Sequence, residues 1–371
     1  FILSLRHMSE YDWLADRENI SLEQNQIDSI LSSLNLRFES IKHLTNPDGQ
    51  WSVNKVFKIQ CKNVNGEPKT LIIKVSHPFW NGTGKLMNEV RGLKFVKKNT
   101  NIPVPDVIDY HCEDTLSDDI ILNHRSEFIM EQRKTNPIPN REYIIMNYLE
   151  GENLGYFWED ISWEDRKKWI DATVDCFSQL YQLKSSSIGV LGDENGTTVI
   201  PQIFDEYSNI YGSFTQWNEE LILRFNWIIQ KLQVVNTSKS EELISKIIKL
   251  RDIELQKDEF QNIEITFCCK DIAPKNILVN RETKEITGIV DWEWCGYDFL
   301  GKDVAEMTYP LEDGKRSNES FTDSKEVSYE VQHLYVLNSW KRYNIIPPIL
   351  ERREKLTKLH NHIKDIGTYQ H

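Results

Sequence analysis

The sequence lacks several features that would indicate other classes of protein. No apolar run reaches the ~18 residues that a membrane-spanning helix needs, and neither internal repeats nor heptads are present. The six cysteines include no Cys-x-x-Cys pair, which in a chain of this size favours a reduced, intracellular, cytoplasmic protein. Positive charge is also scarce, because 44 Lys and Arg stand against 57 Asp and Glu for a net charge of −13. That balance argues against a nucleic-acid partner, which needs a basic footprint.

The composition nevertheless provides ample material for folded domains. The chain has 371 residues, of which 39% are hydrophobic and 11 are tryptophan, enough for two domains of ordinary size. The acidic balance leaves two interpretations open: a cationic small substrate, or a solvated acidic surface that keeps the protein soluble. The pattern predicts no membrane partner and sets no oligomeric state.

The most informative stretch covers residues 268–296. Asp271 is followed five residues later by Asn276, then by an apolar run, a charged turn and a second apolar run that ends at Asp291. Alternating β-branched residues around a polar connection predict a β-hairpin. Two carboxylates and an amide make an all-oxygen set of the kind that Mg²⁺ prefers. An acidic surface hairpin is the alternative, but a carboxylate directly after a buried strand usually has a partner or a metal.

This stretch resembles the aminoglycoside phosphotransferase-like (choline kinase-like) family, especially its fungal-type members. The resemblance lies in DIAPKNILVN, which starts at Asp271, and in GIVDWEW, which starts at Gly288. It implies an α+β, protein-kinase-like two-lobe fold. A small β-rich nucleotide-binding lobe would cover residues 1–150, and a larger, mainly helical catalytic and acceptor-binding lobe would cover 151–371. The resemblance also implies ATP and Mg²⁺ as cofactors and a small hydroxylated substrate, with a cationic one as an option.

A lysine inside an apolar strand is the second informative feature. Lys74 follows Leu71-Ile72-Ile73, and an edge-strand or snorkelling lysine would be the simplest interpretation. Glu89 lies fifteen residues further on, in a stretch whose apolar residues share one helical face. This order matches the strand–helix ion pair that serves the nucleotide phosphates in kinases. The resemblance therefore makes Lys74 and Glu89 nucleotide-binding residues.

A short polar connection at 46–50 stands where a kinase folds its loop over the phosphates. By resemblance, Gly49 and Ser52 would be neighbours of the nucleotide phosphates. The segment is neither a GxGxxG motif nor a Walker A motif, and an ordinary hairpin turn would have the same composition.

The strand predicted at 142–149 resembles the hinge of the family. Met146 would be the gatekeeper, and the backbone of Asn147 and Leu149 would bond adenine. A buried edge strand alone would give the same sequence.

For catalysis, the resemblance implies that Asp271 orients the acceptor hydroxyl and receives its proton, while Asn276 and Asp291 hold Mg²⁺. One position departs from the family, because Cys269 replaces the His that usually braces this loop. A nucleotide-binding pseudokinase that acts as a binding or scaffold module therefore stays open as the alternative to an active phosphotransferase. The absence of GxGxxG, Asp-Phe-Gly and Ala-Pro-Glu argues against a protein kinase.

The phosphate acceptor is not encoded in any of these motifs. Glu293 and Asp298 stand beside the metal-binding motif and would suit an ammonium group of a substrate. Ordinary surface charge is an equally compatible interpretation of both.

The remaining elements are predicted from periodicity and turn residues. We expect strands at 37–44, 51–61, 69–76 and 106–112, helices at 85–98, about 162–181, 215–233, 239–256, 326–343 and 349–365, and a long loop at 186–213.

Overall fold

The computed structural model describes residues 24–44, 54–76, 84–112, 142–254 apart from short gaps between 201 and 236, 264–308 and 320–343. The chain divides into two compact units. Unit 1 comprises Phe1–Glu152, Ile203–Ile210 and Ile277–Trp294, and unit 2 comprises Asn153–Gln202, Tyr211–Asn276 and Cys295–His371. The predicted sites at 46–52 and the predicted helix at 349–365 lie outside the described residues.

Helices and strands are mixed along the chain, which confirms the predicted α+β class. The helices are α1 (Gln24–Ser33), α2 (Lys85–Asn99), α3 (Trp163–Phe177), α4 (Ser238–Lys249), α5 (Lys302–Met307) and α6 (Tyr329–Lys341). The strands are β1 (Leu36–Leu44), β2 (Lys55–Asn63), β3 (Pro68–Val75), β4 (Val107–His111), β5 (Tyr143–Asn147), β6 (Glu152–Asn153), β7 (Lys184–Ser185), β8 (Val190–Leu191), β9 (Val199–Ile200), β10 (Gln202–Ile203), β11 (Ile210–Tyr211), β12 (Ile265–Cys268), β13 (Ile277–Asn280), β14 (Glu285–Ile289) and β15 (Gly296–Phe299).

Unit 1 is built on a five-stranded antiparallel sheet in the order β1-β2-β3-β5-β4. The β2–β3 hairpin turns at Asn65-Gly66, and Gly66 has a φ of 82°, which glycine adopts at little cost. Val56 of β2 and Ile144 of β5 stand on either side of Lys74. Lys74 therefore lies on a central strand, which excludes its interpretation as an edge-strand lysine.

One face of this sheet carries the apolar core of unit 1. Because side chains alternate along a strand, Leu71, Ile73 and Val75 of β3 share that face. They pack with residues of α1 and of the neighbouring strands: Ile27, Leu31, Leu36, Phe57, Ile59, Cys61 and Ile145. Ile72 and Lys74 consequently lie on the opposite face. The charge of Lys74 therefore stays outside the apolar core.

The predicted hairpin of β13 and β14 is present in unit 1, with Ile277 paired to Ile289. The N–H of Ile289 donates to the carbonyl of Pro103 at 2.8 Å, so the hairpin is joined to the segment between α2 and β4. A Cβ atom at Gly288 would lie 2.7 Å from Cδ1 of Leu149. A larger residue at position 288 would displace the Leu149 side chain, which packs on the hairpin.

The helical part of unit 2 is stabilised by capping and by side-chain hydrogen bonds between helices. The Ser162 hydroxyl accepts a hydrogen bond from the N–H of Asp165 at 3.2 Å and so caps the start of α3. Further along α3, the Asp171 carboxylate accepts from the Tyr335 hydroxyl at 2.7 Å and from the Ser339 hydroxyl at 2.6 Å. These two bonds join α3 to α6.

Unit 2 also contains a three-stranded antiparallel sheet in the order β15-β12-β7. The prediction of a long loop at 186–213 was wrong in part, because β8 and β9 pair inside it. Two-residue strands are too short to give the alternation by which strands are recognised.

Two general features bear on the class of protein. Within the described residues, no helix combines the length and the hydropathy that a membrane crossing requires. All six cysteines lie among those residues and carry free thiols.

We predict that Gly151→Ala lowers the free energy of unfolding more than Gly66→Ala does. Gly151 has a φ of 152°, and a Cβ atom there would lie 2.2 Å from Oγ1 of Thr287. Backbone strain and steric overlap together are expected to cost about 2–4 kcal/mol. At Gly66 nothing lies within 4 Å of the added atom, so strain alone should cost about 1 kcal/mol. Urea unfolding measures both losses, and equal losses would show that the overlap at Thr287 relaxes freely.

Candidate active site

The centre of the candidate site is the buried ammonium group of Lys74. It lies 2.6 Å from Oε2 of Glu89, 2.6 Å from Oδ1 of Asp291 and 3.4 Å from Oε2 of Glu293. All four side chains belong to unit 1. The strand lysine and the helix glutamate predicted as a pair are therefore in contact, and the carboxylate that ends the hairpin joins them.

A second ammonium group enters the same cluster. Nζ of Lys85 lies 2.8 Å from Oε1 of Glu293 and 4.1 Å from the centre of the Trp294 ring. The Asn54 side chain donates to Oε2 of Glu293 at 2.7 Å, and Asn88 donates to its main-chain carbonyl at 3.1 Å. Glu293 is thus held by residues from β3, α2 and the residue just before β2.

The charges of the cluster are unequal, because three carboxylates face two ammonium groups. Burial raises the pKa of Glu89 to about 7 in spite of Lys74 beside it. Burial also acts on Glu293, but Lys74 and Lys85 outweigh it and lower the pKa of that carboxyl to about 2. Desolvation opposes the charge of Lys74, yet the three carboxylates hold its pKa well above the usual value. Burial therefore favours the protonated form of Glu89, whereas the two lysines favour the ionised form of Glu293.

Asp291 differs from the other two carboxylates in its exposure and its backbone. Its side chain is 34% exposed, against 2% for Glu89 and 7% for Glu293. Its φ of 66° lies in the left-handed region, which a residue other than glycine occupies only when its surroundings hold it there. The indole N–H of Trp292 donates to the carbonyl of Ile289 at 3.0 Å, which supports the turn. One carboxylate of the cluster is therefore accessible to a ligand in a defined orientation.

The oxygen atoms of this cluster suit a hard cation. Ligand atoms of Glu89, Asp291 and Glu293 all lie within 4.8 Å of one another, and carboxylate oxygens are what Mg²⁺ prefers. Since Glu89 and Glu293 are buried against ammonium groups, Asp291 is the member of the set that fits as a ligand.

The predicted catalytic loop lies in unit 2. The Asn276 side-chain amide donates to both the carbonyl and Oδ2 of Asp271, each at 2.9 Å. The buried Asp303 carboxylate accepts the N–H of Cys269 at 3.2 Å and that of Lys270 at 2.9 Å. The loop is thus fixed through main-chain groups on one side of Asp271 and through Asn276 on the other.

Unit 2 contains a buried ion pair of its own, between Lys270 and Asp298. Nζ of Lys270 lies 3.5 Å from Oδ2 of Asp298, and each side chain is 3% exposed. Lys270 has a φ of 66°, so the pair also holds a strained backbone next to Asp271. Like Glu293, Asp298 faces a lysine of its own unit.

The three predicted hinge residues lie at the end of β5 and just after it, in unit 1. Met146 is buried on the same face of the sheet as Lys74. The N–H of Asn147 donates to the carbonyl of Asp106 at 3.1 Å, so this N–H is already engaged within unit 1. Leu149 packs on the β13–β14 hairpin.

The positions of the predicted site residues follow from these contacts. Unit 1 brings together Lys74, Glu89, Asp291 and Glu293, and unit 2 brings together Asp271 and Asn276. Gly49 and Ser52 lie outside the described residues.

Sequence reasoning missed three residues that contact Glu293, namely Asn54, Lys85 and Asn88. Of these, only Lys85 gives a signal in the sequence. It opens α2, whose first turn contains no acidic residue, although helix N-termini favour negative charge.

Comparison with solved structures identifies the fold. The structure is similar to the ADP-bound aminoglycoside phosphotransferase APH(2'')-Ib, with a TM-score of 0.55 and 12% identity over 93% of this chain and 90% of that chain. A streptomycin–ATP–APH(2'')-IIa ternary complex gives a TM-score of 0.55 at 11% identity, over 94% and 91% of the two chains. These likenesses establish a protein-kinase-like fold, as predicted.

The family is established by sequence. The model of the choline/ethanolamine kinase family matches residues 145–366, which is more than half of the chain. The protein belongs to the choline/ethanolamine kinase family and so to the small-molecule phosphotransferases. Comparison with curated proteins gives no match, and the fungal-type assignment stays a prediction.

We predict that Glu89→Gln removes part of the pH dependence of stability. The folded-state pKa of Glu89 lies at about 7, above its ordinary value of 4.5. Its stabilising contribution is therefore complete below pH 4.5 and is lost as the pH rises through 7. Since one pKa unit is worth about 1.4 kcal/mol, the wild type should lose roughly 3 kcal/mol more than Glu89→Gln between pH 4.5 and 8. Urea unfolding without nucleotide measures this difference, and parallel pH profiles would contradict the assignment.

We also predict that Lys270 and Asp298 are energetically coupled. Asp298→Asn leaves the Lys270 ammonium buried without its carboxylate and should cost about 3–5 kcal/mol. The double variant Lys270→Met/Asp298→Asn should cost less than the sum of the two single changes, by about 1–3 kcal/mol. A double-mutant cycle by urea unfolding tests this, and additive losses would mean that the pair contributes nothing.

Proposed function

We propose that this protein transfers the γ-phosphoryl group of ATP to a hydroxyl group of a small molecule. The observation that carries the proposal is the buried Lys74, with Glu89 on one side and the half-exposed Asp291 on the other. Membership in the choline/ethanolamine kinase family supports the same reaction class. Similar folds have been solved with ADP and with ATP, which supports ATP as the phosphoryl donor.

In this proposal, Lys74 binds the α/β-phosphates and Glu89 orients it. A buried ammonium group is costly unless it is compensated, so a lysine that stays charged inside the sheet is preorganised for an anionic ligand. Phosphoryl transfer depends on positioning and on the compensation of negative charge. Met146 would be the gatekeeper, and the backbone of Asn147 and Leu149 would bond adenine, with Asn147 limited to its carbonyl because its N–H already donates to Asp106.

Asp271 would orient the acceptor hydroxyl and receive its proton. The side-chain amide of Asn276 donates to Asp271, and an amide that donates through nitrogen still has its oxygen available for a cation. Asn276 and Asp291 would therefore hold Mg²⁺ through oxygen atoms. When bound, the ion would neutralise charge on the nucleotide phosphates.

The acceptor is proposed to be a small hydroxylated compound, with cationic alcohols as the first candidates. The family description names choline and ethanolamine, and the net charge of −13 is compatible with a cationic substrate. Glu293 and Asp298 are less suited to bind its ammonium group than the sequence suggests, because each already faces a buried lysine. A reducing, cytoplasmic location is proposed from the six free thiols.

The pseudokinase alternative is based on Cys269, which replaces the usual His. The buried carboxylate of Asp303 accepts two main-chain N–H groups at this point. Such bonds hold the loop whatever side chain stands at position 269. We therefore favour an active enzyme.

We predict that the protein consumes ATP in the presence of Mg²⁺ and a pool of hydroxylated amines, alcohols and amino sugars. Asp271→Asn should reduce turnover by about 10²–10⁴-fold, because it removes the proton acceptor, while ATP binding is retained. Lys74→Met should weaken ATP binding itself. Asp160→Asn, an exposed aspartate of unit 2, is the matched control and should leave turnover unchanged.

Two measurements separate the alternatives. Calorimetry reports ATP binding, and release of ADP reports turnover. ATP binding with no Asp271-dependent turnover against any acceptor would favour the pseudokinase and contradict the proposed enzyme.

A further inference from the structure

Lys85 stands where local rules disfavour it. It is the first residue of α2, directly after Gly84, and the first turn of the helix contains no acidic residue. A cation at a helix N-terminus opposes the helix dipole, and the Lys85 side chain is only 8% exposed. Residues that break a local rule without an evident gain are expected at functional sites.

The compensation for Lys85 lies in Glu293. Oε1 of Glu293 is 2.8 Å from the Lys85 ammonium group, and Oε2 accepts from Asn54 at 2.7 Å. The main-chain carbonyl of Glu293 accepts from Asn88, one helical turn after Lys85. The side chain and the main chain of Glu293 therefore both bond to residues in the first turn of α2.

This attachment acts on Asp291, two residues earlier in the chain. Asp291 has a left-handed backbone, a conformation that must be held by its surroundings. Glu89, on the next turn of the same helix, contacts Lys74, and Lys74 contacts Asp291. The Lys85–Glu293 pair thereby sets the distance between α2 and the segment that carries Asp291.

We infer that Lys85 is a positioning residue, which acts through Glu293 to hold Asp291 in place for a divalent cation and its nucleotide. The inference rests on the proposed function, because Asp291 is a ligand only in that proposal. It makes Glu293 a positioning carboxylate rather than a binding group for the acceptor.

The same contacts would keep Lys74 neutralised if Asp291 bound a cation. Glu89 and Glu293 stay close to the Lys74 ammonium group, so Lys74 keeps buried counter-charges. Without Lys85, one ammonium group would face three carboxylates, and Glu293 would compete with Asp291 for Lys74. Loss of Lys85 should therefore disturb both the cation and the nucleotide.

The test measures the affinity for ATP by calorimetry with and without MgCl₂, using the full chain. Mg²⁺ should strengthen ATP binding in the wild type, and Lys85→Met should reduce that strengthening by about 10-fold or more, as loss of residues that orient metal ligands usually does. Lys98→Met changes an exposed lysine on the same helix and should behave as the wild type. Urea unfolding of each variant separates a loss of stability from a loss of coupling to Mg²⁺.

Conservative variants keep the test decisive if Lys85→Met does not fold. Lys85→Arg retains the charge and should retain the Mg²⁺ effect, whereas Lys85→Gln should lose it. In the Lys85→Met/Glu293→Gln double variant, the Mg²⁺ effect should be no weaker than in Lys85→Met alone, because the pair acts as a unit.

The outcomes distinguish this inference from the proposed function. An unchanged Mg²⁺ effect in Lys85→Met, or identical behaviour of the Arg and Gln variants, would overturn the inference alone. A wild-type protein that binds no ATP in the presence of Mg²⁺ would overturn the proposed function and this inference together.

Discussion

The ammonium group of Lys74, buried at the centre of a β-sheet, is the constraint on which unit 1 depends. A charge in that position costs several kcal/mol unless carboxylates neutralise it. β3 supplies an apolar core on one face and this single charge on the other, so the carboxylates must come from elements outside the sheet. Helix α2 provides Glu89, and the segment after β14 provides Asp291 and Glu293. The ion pairs therefore specify where the helix and the hairpin pack.

Neutralisation in this cluster is incomplete, and that links stability to the proposed function. Two ammonium groups stand against three carboxylates. Burial raises the pKa of Glu89 to about 7, and the neighbouring carboxylates Asp291 and Glu293 add to that rise. A cluster optimised for stability alone would balance its charges or replace them with apolar side chains. The surplus is useful to a protein that receives a divalent cation, because the cation supplies the missing positive charge. The third carboxylate would then both lower the stability of the cation-free protein and favour the binding of a cation.

Contacts that follow a regular chain pattern were predictable from the sequence, and contacts that depend on packing were not. The strand and helix patterns placed Lys74 and Glu89, and the resemblance to kinases paired them. The β13–β14 hairpin was found because its strands alternate. Asn54 and Lys85 were missed, since their partner Glu293 is more than 200 positions away in sequence. Glu293 and Asp298 could be recognised as acidic, but their lysine partners could not, because no periodic pattern links Lys85 to Glu293 or Lys270 to Asp298.

The predicted catalytic loop shows why the absence of one motif residue is weak evidence for the loss of a function. A histidine in this loop would support it through a side chain, so its replacement by Cys269 suggests a loss of order. Asp303 instead accepts hydrogen bonds from the main chain of Cys269 and Lys270, and every non-proline residue offers that N–H donor. Lys270 adds a buried partner in Asp298. The loop conformation therefore depends on the acceptor at position 303 and on the ion pair, more than on the identity of residue 269.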